Sequence, residues 1–384
     1  MRHELAKAPR QVSTDGTGGR AHRVVFVDLG RFLALVFMLY GHTVDALLDP
    51  AYQRGTWYEV WQFQRGLTSS LFLLLSGFAF SVATSRRWSE HLHPSIALLR
   101  RVRRFALFIL LGYALHFPVS RFADLPGASA EQWRALLAVD VLQLIGVTYL
   151  GVQGLVLVTR TPRRFLVAAL GLGIVVVGVT PVVRSLDWSS LPAPLAAYLT
   201  PAAGSLFPIF PFAAYILFGA ALGQVFAGWD ASRLSAYAGR VLLVPGALLV
   251  AAGLVASGLP GVAPLAMVAL VALRLGACLL ILAGIAHLSR RLQRLPPVVA
   301  AMARETLLLY FVHLSLVYGS VWDRGLRPWV GDTLGPGGTV TAVVVLLSAM
   351  AVLGWSWHWV KHARPRAVPW ARAAAATALL VPLL

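Results

Sequence analysis

The chain has 384 residues, of which 58% are hydrophobic and only 12% are charged, and its mean hydropathy is +0.73. Soluble domains carry about 25% charged residues, so this composition excludes a soluble protein and indicates a polytopic membrane protein. The formal net charge of +18 is typical of nucleic-acid-binding proteins, but here the basic residues follow membrane topology, and we expect no nucleic-acid partner. Cys278 is the only cysteine, which excludes a disulfide framework and a cysteine metal site; we expect no metal.

The chain divides into a basic tail, a membrane domain and a second tail. Residues 1–24 are hydrophilic, and we expect them to be disordered. Residues 25–362 contain about ten apolar runs, each about as long as a membrane-spanning helix. Residues 363–384 predict either an interfacial helix or one additional span. The ten runs lie near residues 26–48, 63–84, 105–119, 136–159, 165–184, 203–227, 241–257, 264–288, 298–320 and 339–360.

The lysine and arginine residues are distributed unevenly between the connections. Most of them lie in the N-terminal tail and in every second connection after it. This bias places both termini in the cytoplasm by the positive-inside rule. The sequence therefore predicts an all-α, polytopic helical bundle. Its Ala-, Arg- and Leu-rich composition is compatible with a bacterial cytoplasmic membrane.

The first apolar run carries Arg31 and His42, with ten residues between them. Eleven steps of about 100° return to within about 20° of the starting direction, so both side chains lie on one helix face, about 16 Å apart along the axis. An ionisable side chain near the bilayer centre costs about 2.5–3.5 kcal/mol, which makes it a candidate for function. Asp28 lies three residues before Arg31 and Asp45 three residues after His42, close enough on a helix to pair with them.

Other polar residues inside the spans form two layers. The inner layer is cationic and suits the phosphates of a cytoplasmic ligand, although these residues could also be ordinary membrane anchors. The outer layer suits acid–base chemistry and hydroxyl recognition, although its members could equally snorkel to the surface or form structural pairs. His313 falls near mid-depth, where it could line the site or pack in the core. The inner layer contains Arg103, Arg104 and Arg304, and the outer layer contains Arg65, His116, Asp140 and Gln143.

Several segments together resemble transmembrane acyltransferases, a group that includes the acyltransferase-three family and the heparan-alpha-glucosaminide N-acetyltransferase-like family. The first is the helix with Arg31 and His42, VDLGRFLALVFMLYGH. The others are SSLFLLLSGFAF (69–80), DVLQLIGVTYL (140–150), LFPIFPFAAYILFGAALG (206–223) and ETLLLYFVHLSLVYG (305–319). Each match is loose, but their order and spacing are more specific, and the resemblance extends from about residue 24 to 320.

The resemblance implies that an acyl group, usually acetyl, passes from cytoplasmic acyl-CoA to a hydroxyl or amine of an extracytoplasmic glycan or envelope acceptor. By position, His42 would be the catalytic base or a transient acyl carrier, oriented by Asp45, with His313 as the second candidate. Arg31 would contact the donor or maintain the helix geometry. Animal lysosomal members have asparagine at the position of His42 and a histidine in the following loop. Loop 49–61 has no histidine here, which favours the acyltransferase-three pattern.

Two other classes of function stay open at this point. Membrane-embedded Asp, Glu and His also serve as proton relays in secondary transporters, although the sequence shows no inverted repeat. The chain could also be a non-catalytic membrane module of envelope synthesis. Beyond the lipid bilayer and the acceptor, the sequence does not decide whether the chain forms a homo-oligomer.

Overall fold

The computed structural model describes residues 25–229, 234–259, 265–292 and 294–383. Within these ranges the regular secondary structure is helical, apart from two isolated β-bridges. Eight helical segments in this part of the chain are long and apolar enough to cross a membrane, or nine if one bent pair counts as a single span. The predicted all-α membrane bundle is therefore confirmed. The predicted disordered tail, 1–24, lies outside the described residues.

Sixteen α-helices follow one another along the described chain, and several of them combine into longer segments. The first half contains α1 (Val25–Leu47), α2 (Thr56–Ser85), α3 (Ile96–Leu115), α4 (Ala130–Leu137), α5 (Val141–Thr159), α6 (Pro162–Ser185), α7 (Ala193–Leu199) and α8 (Ile209–Ala227). The second half contains α9 (Leu234–Tyr237), α10 (Val244–Gly258), α11 (Ala266–Ser289), α12 (Pro297–Arg304), α13 (Thr306–Tyr318), α14 (Leu326–Val330), α15 (Pro336–Ala363) and α16 (Val368–Leu380). A π-helical turn, Ala238–Leu243, joins α9 and α10 into one segment.

The third predicted span differs most from its helix. The sequence predicted a span over 105–119, whereas α3 begins at Ile96 and includes all the arginines of that region. For this reason α3 is absent from the eight apolar segments. Arg101 is held against α2, where it donates to Thr84 Oγ1 at 2.6 Å and lies 4.0 Å from the centre of the Phe80 ring. This contact compensates part of the cost of a charge at that position.

The ninth predicted span, 298–320, is not a single straight helix. It consists of α12 and α13, which meet at an angle of 80°. Glu305 lies at the bend and forms an ion pair with Lys361 of α15, while Arg304 Nη1 lies 3.4 Å from His358 Nε2. Arg304 and Glu305 therefore pair with α15 rather than with each other.

Helices α2 and α8 cross so closely that glycine is required at the contact. A Cβ atom on Gly77 would lie 1.9 Å from the carbonyl oxygen of Ile216, and one on Gly219 would lie 1.9 Å from that of Leu74. Small residues at such crossings allow the backbones of membrane helices to approach. Helix α1 contacts α2, α11, α12, α13 and α15, so its polar residues face other helices.

The second tail forms one short helix. α16 has 13 residues and would extend about 20 Å, less than the thickness of the hydrocarbon core. The carbonyl oxygen of Leu379 accepts a hydrogen bond of 2.8 Å from Nε1 of Trp322, in the loop after α13. Whether this helix lies in the interface or spans the membrane stays a prediction.

Candidate active site

His42, near the end of α1, lies against the end of α13. Its Nδ1 is 3.0 Å from the hydroxyl oxygen of Tyr318, which in turn is 3.3 Å from Oδ2 of Asp45. An ionised carboxylate can only accept, so Tyr318 donates to Asp45 and the Nδ1–H of His42 donates to Tyr318. The lone pair of His42 is then on Nε2, which hydrogen-bonds to no residue in the described ranges. His42 is thus arranged as a base.

Asp45 is held from the other side by Arg65. Nη2 of Arg65 donates to Oδ2 of Asp45 at 2.6 Å, a short, charge-assisted bond that joins α1 to α2. The helical spacing predicts that Asp45 acts on His42 directly. In the structure the hydroxyl of Tyr318 connects the two residues, and Arg65 belongs to the same group.

His313 is the second imidazole of this group and is fully buried. Its ring centre is 5.4 Å from that of His42 and 5.6 Å from that of Tyr310. Nδ1 of His313 donates to the carbonyl oxygen of Leu309 at 2.8 Å, as expected within a helix, so the lone pair is on Nε2. That atom is buried and has no hydrogen-bond partner in the described chain. We call His42, Asp45, His313 and Tyr318 the histidine cluster.

A cavity of about 80 Å³, the inner cavity, lies between α1, α2, α3, α5 and α13. Arg31 and Arg104, two of the predicted donor-binding residues, both line it, and neither has a carboxylate partner among the described residues. Two guanidinium groups at one cavity, with no carboxylate from the described residues beside them, favour an anionic ligand. The other polar side chains that line it are Ser76, Tyr149, Thr306 and Tyr310.

Tyr310 connects the inner cavity to the histidine cluster. It lines the cavity, stacks on Phe72 with ring centres 6.1 Å apart, and meets His313 edge to face. Tyr310 at the cavity and His313 are one turn apart on α13, and the ring of His313 lies next to that of His42. The structure therefore places Arg31 at the inner cavity and His42 at the far end of a row of rings formed by Tyr310, His313 and His42.

The predicted outer residues His116, Asp140 and Gln143 form a second group. Nε2 of His116 lies 3.3 Å from Oδ2 of Asp140. Asp140 and Gln143 cap α5: the carboxylate accepts from the amide of Val141 at 2.6 Å, and Oε1 of Gln143 accepts from the amide of Asp140 at 3.2 Å. Asp140 also acts electrostatically on His42 and His313. This group therefore has a structural role at the start of α5 and adds negative charge near the histidine cluster.

Two predicted donor-binding residues do not line the inner cavity. Arg103 is exposed on α3, and Arg304 lies at the bend between α12 and α13, where it contacts His358. Arg304 is nevertheless two positions before Thr306, which does line the cavity. A group of three or more side chains suited to a metal ion does not occur in the described ranges.

A wider cleft, the outer cleft, has a volume of about 520 Å³. Phe117 in its lining follows His116 in the chain, and Ser320 lies two positions after Tyr318. Asp124 is the one charged residue among the described residues that line it. The others include Phe117, Ser120, Gln132 and Ser320.

Sequence reasoning did not identify Tyr318, Tyr310, Tyr149 or Ser76 as site residues. Tyrosine and serine occur in apolar spans without cost when they find one partner, so a single sequence gives no signal for them. Asp140 and Gln143 did carry a signal, because an acidic residue followed three positions later by Gln is typical of a helix start.

The fold and the site define a multi-pass membrane protein in which a short row of rings connects an arginine-lined cavity to the histidine cluster. A family model described as heparan-alpha-glucosaminide N-acetyltransferase, catalytic, matches residues 23–253. Because the match covers more than half of the chain, the chain belongs to this family of membrane acetyltransferases, which in general use acetyl-CoA. The matched range ends before His313 and Tyr318. No curated protein matches the chain.

Proposed function

We propose that the protein transfers an acetyl group from cytoplasmic acetyl-CoA to a hydroxyl or amine of an extracytoplasmic glycan or envelope component. The observation that carries the proposal is the inner cavity, where Arg31 and Arg104 lie without carboxylate partners in the described part of the chain, at one end of the row that leads to His42. A bacterial cytoplasmic membrane is the location that we infer from the composition and charge of the chain.

On the donor side, Arg31 and Arg104 would bind the phosphates of acetyl-CoA, since guanidinium groups match phosphate geometry. Ser76, Thr306 and Tyr310 offer hydroxyl groups to the amide and carbonyl groups of the donor arm. The family resemblance suggests that Arg31 contacts the donor or maintains the geometry of α1. Its position at the inner cavity supports the contact with the donor.

On the acceptor side, His42 would act as the general base. Its Nε2 takes the proton of the acceptor hydroxyl as the oxygen attacks the thioester carbonyl. Tyr318 and Asp45 hold the Nδ1–H bond, so the imidazolium that forms is stabilised by a carboxylate through one hydroxyl. The acceptor would approach this base from the outer cleft, whose lining residues Phe117 and Ser320 are close in sequence to His116 and Tyr318.

A matched pair of histidine variants tests the proposal. Membranes with wild-type protein should incorporate label from [¹⁴C]acetyl-CoA, and His42→Ala should lower the rate about 10²- to 10⁴-fold, as expected for loss of a general base. His287→Ala is the control, because His287 is exposed near the C-terminal end of α11 and belongs to neither the inner cavity nor the histidine cluster. Retention of the wild-type rate by His42→Ala would exclude His42 as the base. Absence of acetyl transfer by the wild-type protein would favour a transporter or a non-catalytic module.

A further inference from the structure

The proposed reaction, on which this inference rests, separates a proton donor from a proton acceptor. When a hydroxyl attacks the thioester, a C–O bond forms, the C–S bond breaks, the hydroxyl loses one proton and the sulfur gains one. The hydroxyl approaches His42 from the outer side, whereas the sulfur is released at the inner cavity. When the C–S bond breaks, the sulfur is still next to the carbonyl carbon, and one route returns the proton directly from His42. Once the thiolate withdraws toward the inner cavity, the proton must instead pass inward through the bundle or be lost outside and replaced from the cytoplasm.

His313 carries the structural feature that bears on this choice. Its side chain is fully buried, and its Nε2 lone pair has no hydrogen-bond partner in the described part of the chain. Leaving a buried polar atom unpaired costs about 1–3 kcal/mol, so such an atom requires an explanation. Because Nδ1 already donates to Leu309, His313 can accept a proton only at Nε2.

The position of His313 suits proton transfer between His42 and the inner cavity. On one side lies His42, with ring centres 5.4 Å apart, a separation that one bridging water molecule or the reacting hydroxyl can cross. On the other side lies Tyr310, with ring centres 5.6 Å apart, and Tyr310 lines the inner cavity. Tyr318 contacts the opposite nitrogen of His42 and leads outward to Asp45.

We propose that His313 and Tyr310 form a proton relay that carries the acceptor's proton from His42 inward to the departing thiolate. His42 Nε2 takes the proton from the hydroxyl and passes it to His313 Nε2. Tyr310 then gives its hydroxyl proton to the thiolate and recovers one from His313. Each residue returns to its starting protonation state, and no net proton crosses to either side.

Inside-out membrane vesicles provide the test, because their lumen corresponds to the extracytoplasmic side and they contain native envelope acceptors. A pH-sensitive dye in the lumen reports protons, and [¹⁴C]acetyl-CoA added outside reports transfer. We expect His313→Gln and Tyr310→Phe to slow transfer about 10- to 100-fold. We also expect residual transfer by His313→Gln to release one more lumenal proton per acetyl group than the wild type.

The controls separate this relay from other roles. His287→Gln removes an exposed histidine and should match the wild type in both rate and proton release. Tyr310→Phe keeps the ring that stacks on Phe72, so its effect reports the hydroxyl rather than packing. Equal lumenal proton release by wild type and His313→Gln would overturn the relay. So would a wild-type rate in either variant, or acid-quenched label on His313, which would make it an acyl carrier.

Failure of the relay and failure of the proposed function give different results. Acetyl transfer that depends on His42 but releases the same number of lumenal protons with and without His313 contradicts the relay alone. Absence of transfer by the wild-type vesicles contradicts the proposed function, and the relay with it.

Discussion

One hydroxyl group connects His42 to Asp45, and this arrangement determines which nitrogen of the imidazole is basic. Tyr318 donates to a carboxylate that Arg65 already holds at 2.6 Å, so its oxygen is available to accept from Nδ1. The fixed tautomer leaves the Nε2 lone pair ready for the acceptor's proton. A direct contact between His42 and Asp45 would serve the same purpose, but the geometry uses Tyr318 instead.

We therefore expect Tyr318→Phe to lower kcat for acetyl transfer about 10- to 100-fold, while KM for acetyl-CoA changes little. The ring and its edge-to-face packing on His42 remain, and only the hydroxyl is lost. Steady-state kinetics with labelled acetyl-CoA measure both constants. Tyr58→Phe is the matched control, because it removes a hydroxyl whose partners in the described chain are Gln53 and Gln62, outside the histidine cluster. An unchanged kcat for Tyr318→Phe would show that the tautomer is set in another way.

Arg104 tests the opposite end of the row. Losing a charge-assisted hydrogen bond costs about 1.5–3 kcal/mol, so Arg104→Gln should raise KM for acetyl-CoA about 10- to 100-fold with a smaller change in kcat. Arg100→Gln makes the same change on an exposed residue of α3 that does not line the inner cavity, and it should leave KM unchanged. Equal effects of the two variants would indicate a general surface potential rather than a donor site.

These residues show how far a single sequence leads. An ionisable side chain inside an apolar span is costly and is therefore a candidate for function. This signal identified His42, Asp45, His313 and Arg65. Tyr318 and Tyr310 could not, because their importance comes only from which helices pack together. Arg103 and Arg104 are adjacent in sequence and look equivalent there, yet only Arg104 lines the inner cavity.

Among the helices, the crossing of α2 and α8 is the contact most sensitive to side-chain size. The backbones approach so closely at Gly77 and Gly219 that a methyl group at either position overlaps a carbonyl oxygen. The motif SSLFLLLSGFAF contains Gly77, so the resemblance pointed to this helix, but the partner of the glycine emerges only from the packing.

Gly219→Ala should therefore lower stability by about 1–3 kcal/mol, because the helices must separate to admit the methyl group. Gly154→Ala in α5 is the control, since a Cβ atom there meets nothing within 4 Å. In a helix, alanine is favoured over glycine by about 1 kcal/mol, so the control should be neutral or stabilising. Thermal unfolding in detergent measures both. Equal melting temperatures for the two variants would contradict the close crossing.

The bend between α12 and α13 was not predictable from the local sequence, which reads as one apolar span. Neither proline nor glycine lies at the break, so the usual signals for a kink are missing. The bend instead coincides with the ion pair between Glu305 and Lys361, which are far apart in the chain. The bend also places Thr306 and Tyr310 at the inner cavity, so the shape of this cavity depends on the tertiary contact.

For the molecule as a whole, the membrane topology depends on α3. Without α3 the described chain has nine candidate spans, counting the bent pair as one, and an odd number would put the two termini on opposite sides of the membrane. If α3 also crosses, the number is ten, and both termini can be cytoplasmic, as the sequence predicts. The helix has 20 residues, or about 30 Å, which matches the hydrocarbon core. Arg101 bonds to α2 and Arg104 lines the inner cavity. Arg100 and Arg103 are exposed, but they lie in the first half of α3, where long basic side chains can reach the headgroups at the cytoplasmic surface.

Cysteine labelling tests this topology, because the native Cys278 is fully buried and should react little. Ser89→Cys and Ala123→Cys place exposed thiols before and after α3. If α3 crosses the membrane, a membrane-impermeant maleimide should label Ala123→Cys in right-side-out vesicles and Ser89→Cys only in inside-out vesicles. Labelling of both from one side would mean that α3 does not cross. Arg104 and the inner cavity would then still face the donor, but the outer cleft, which follows α3 directly, would be on the cytoplasmic side, and the separation of acceptor from donor would be lost.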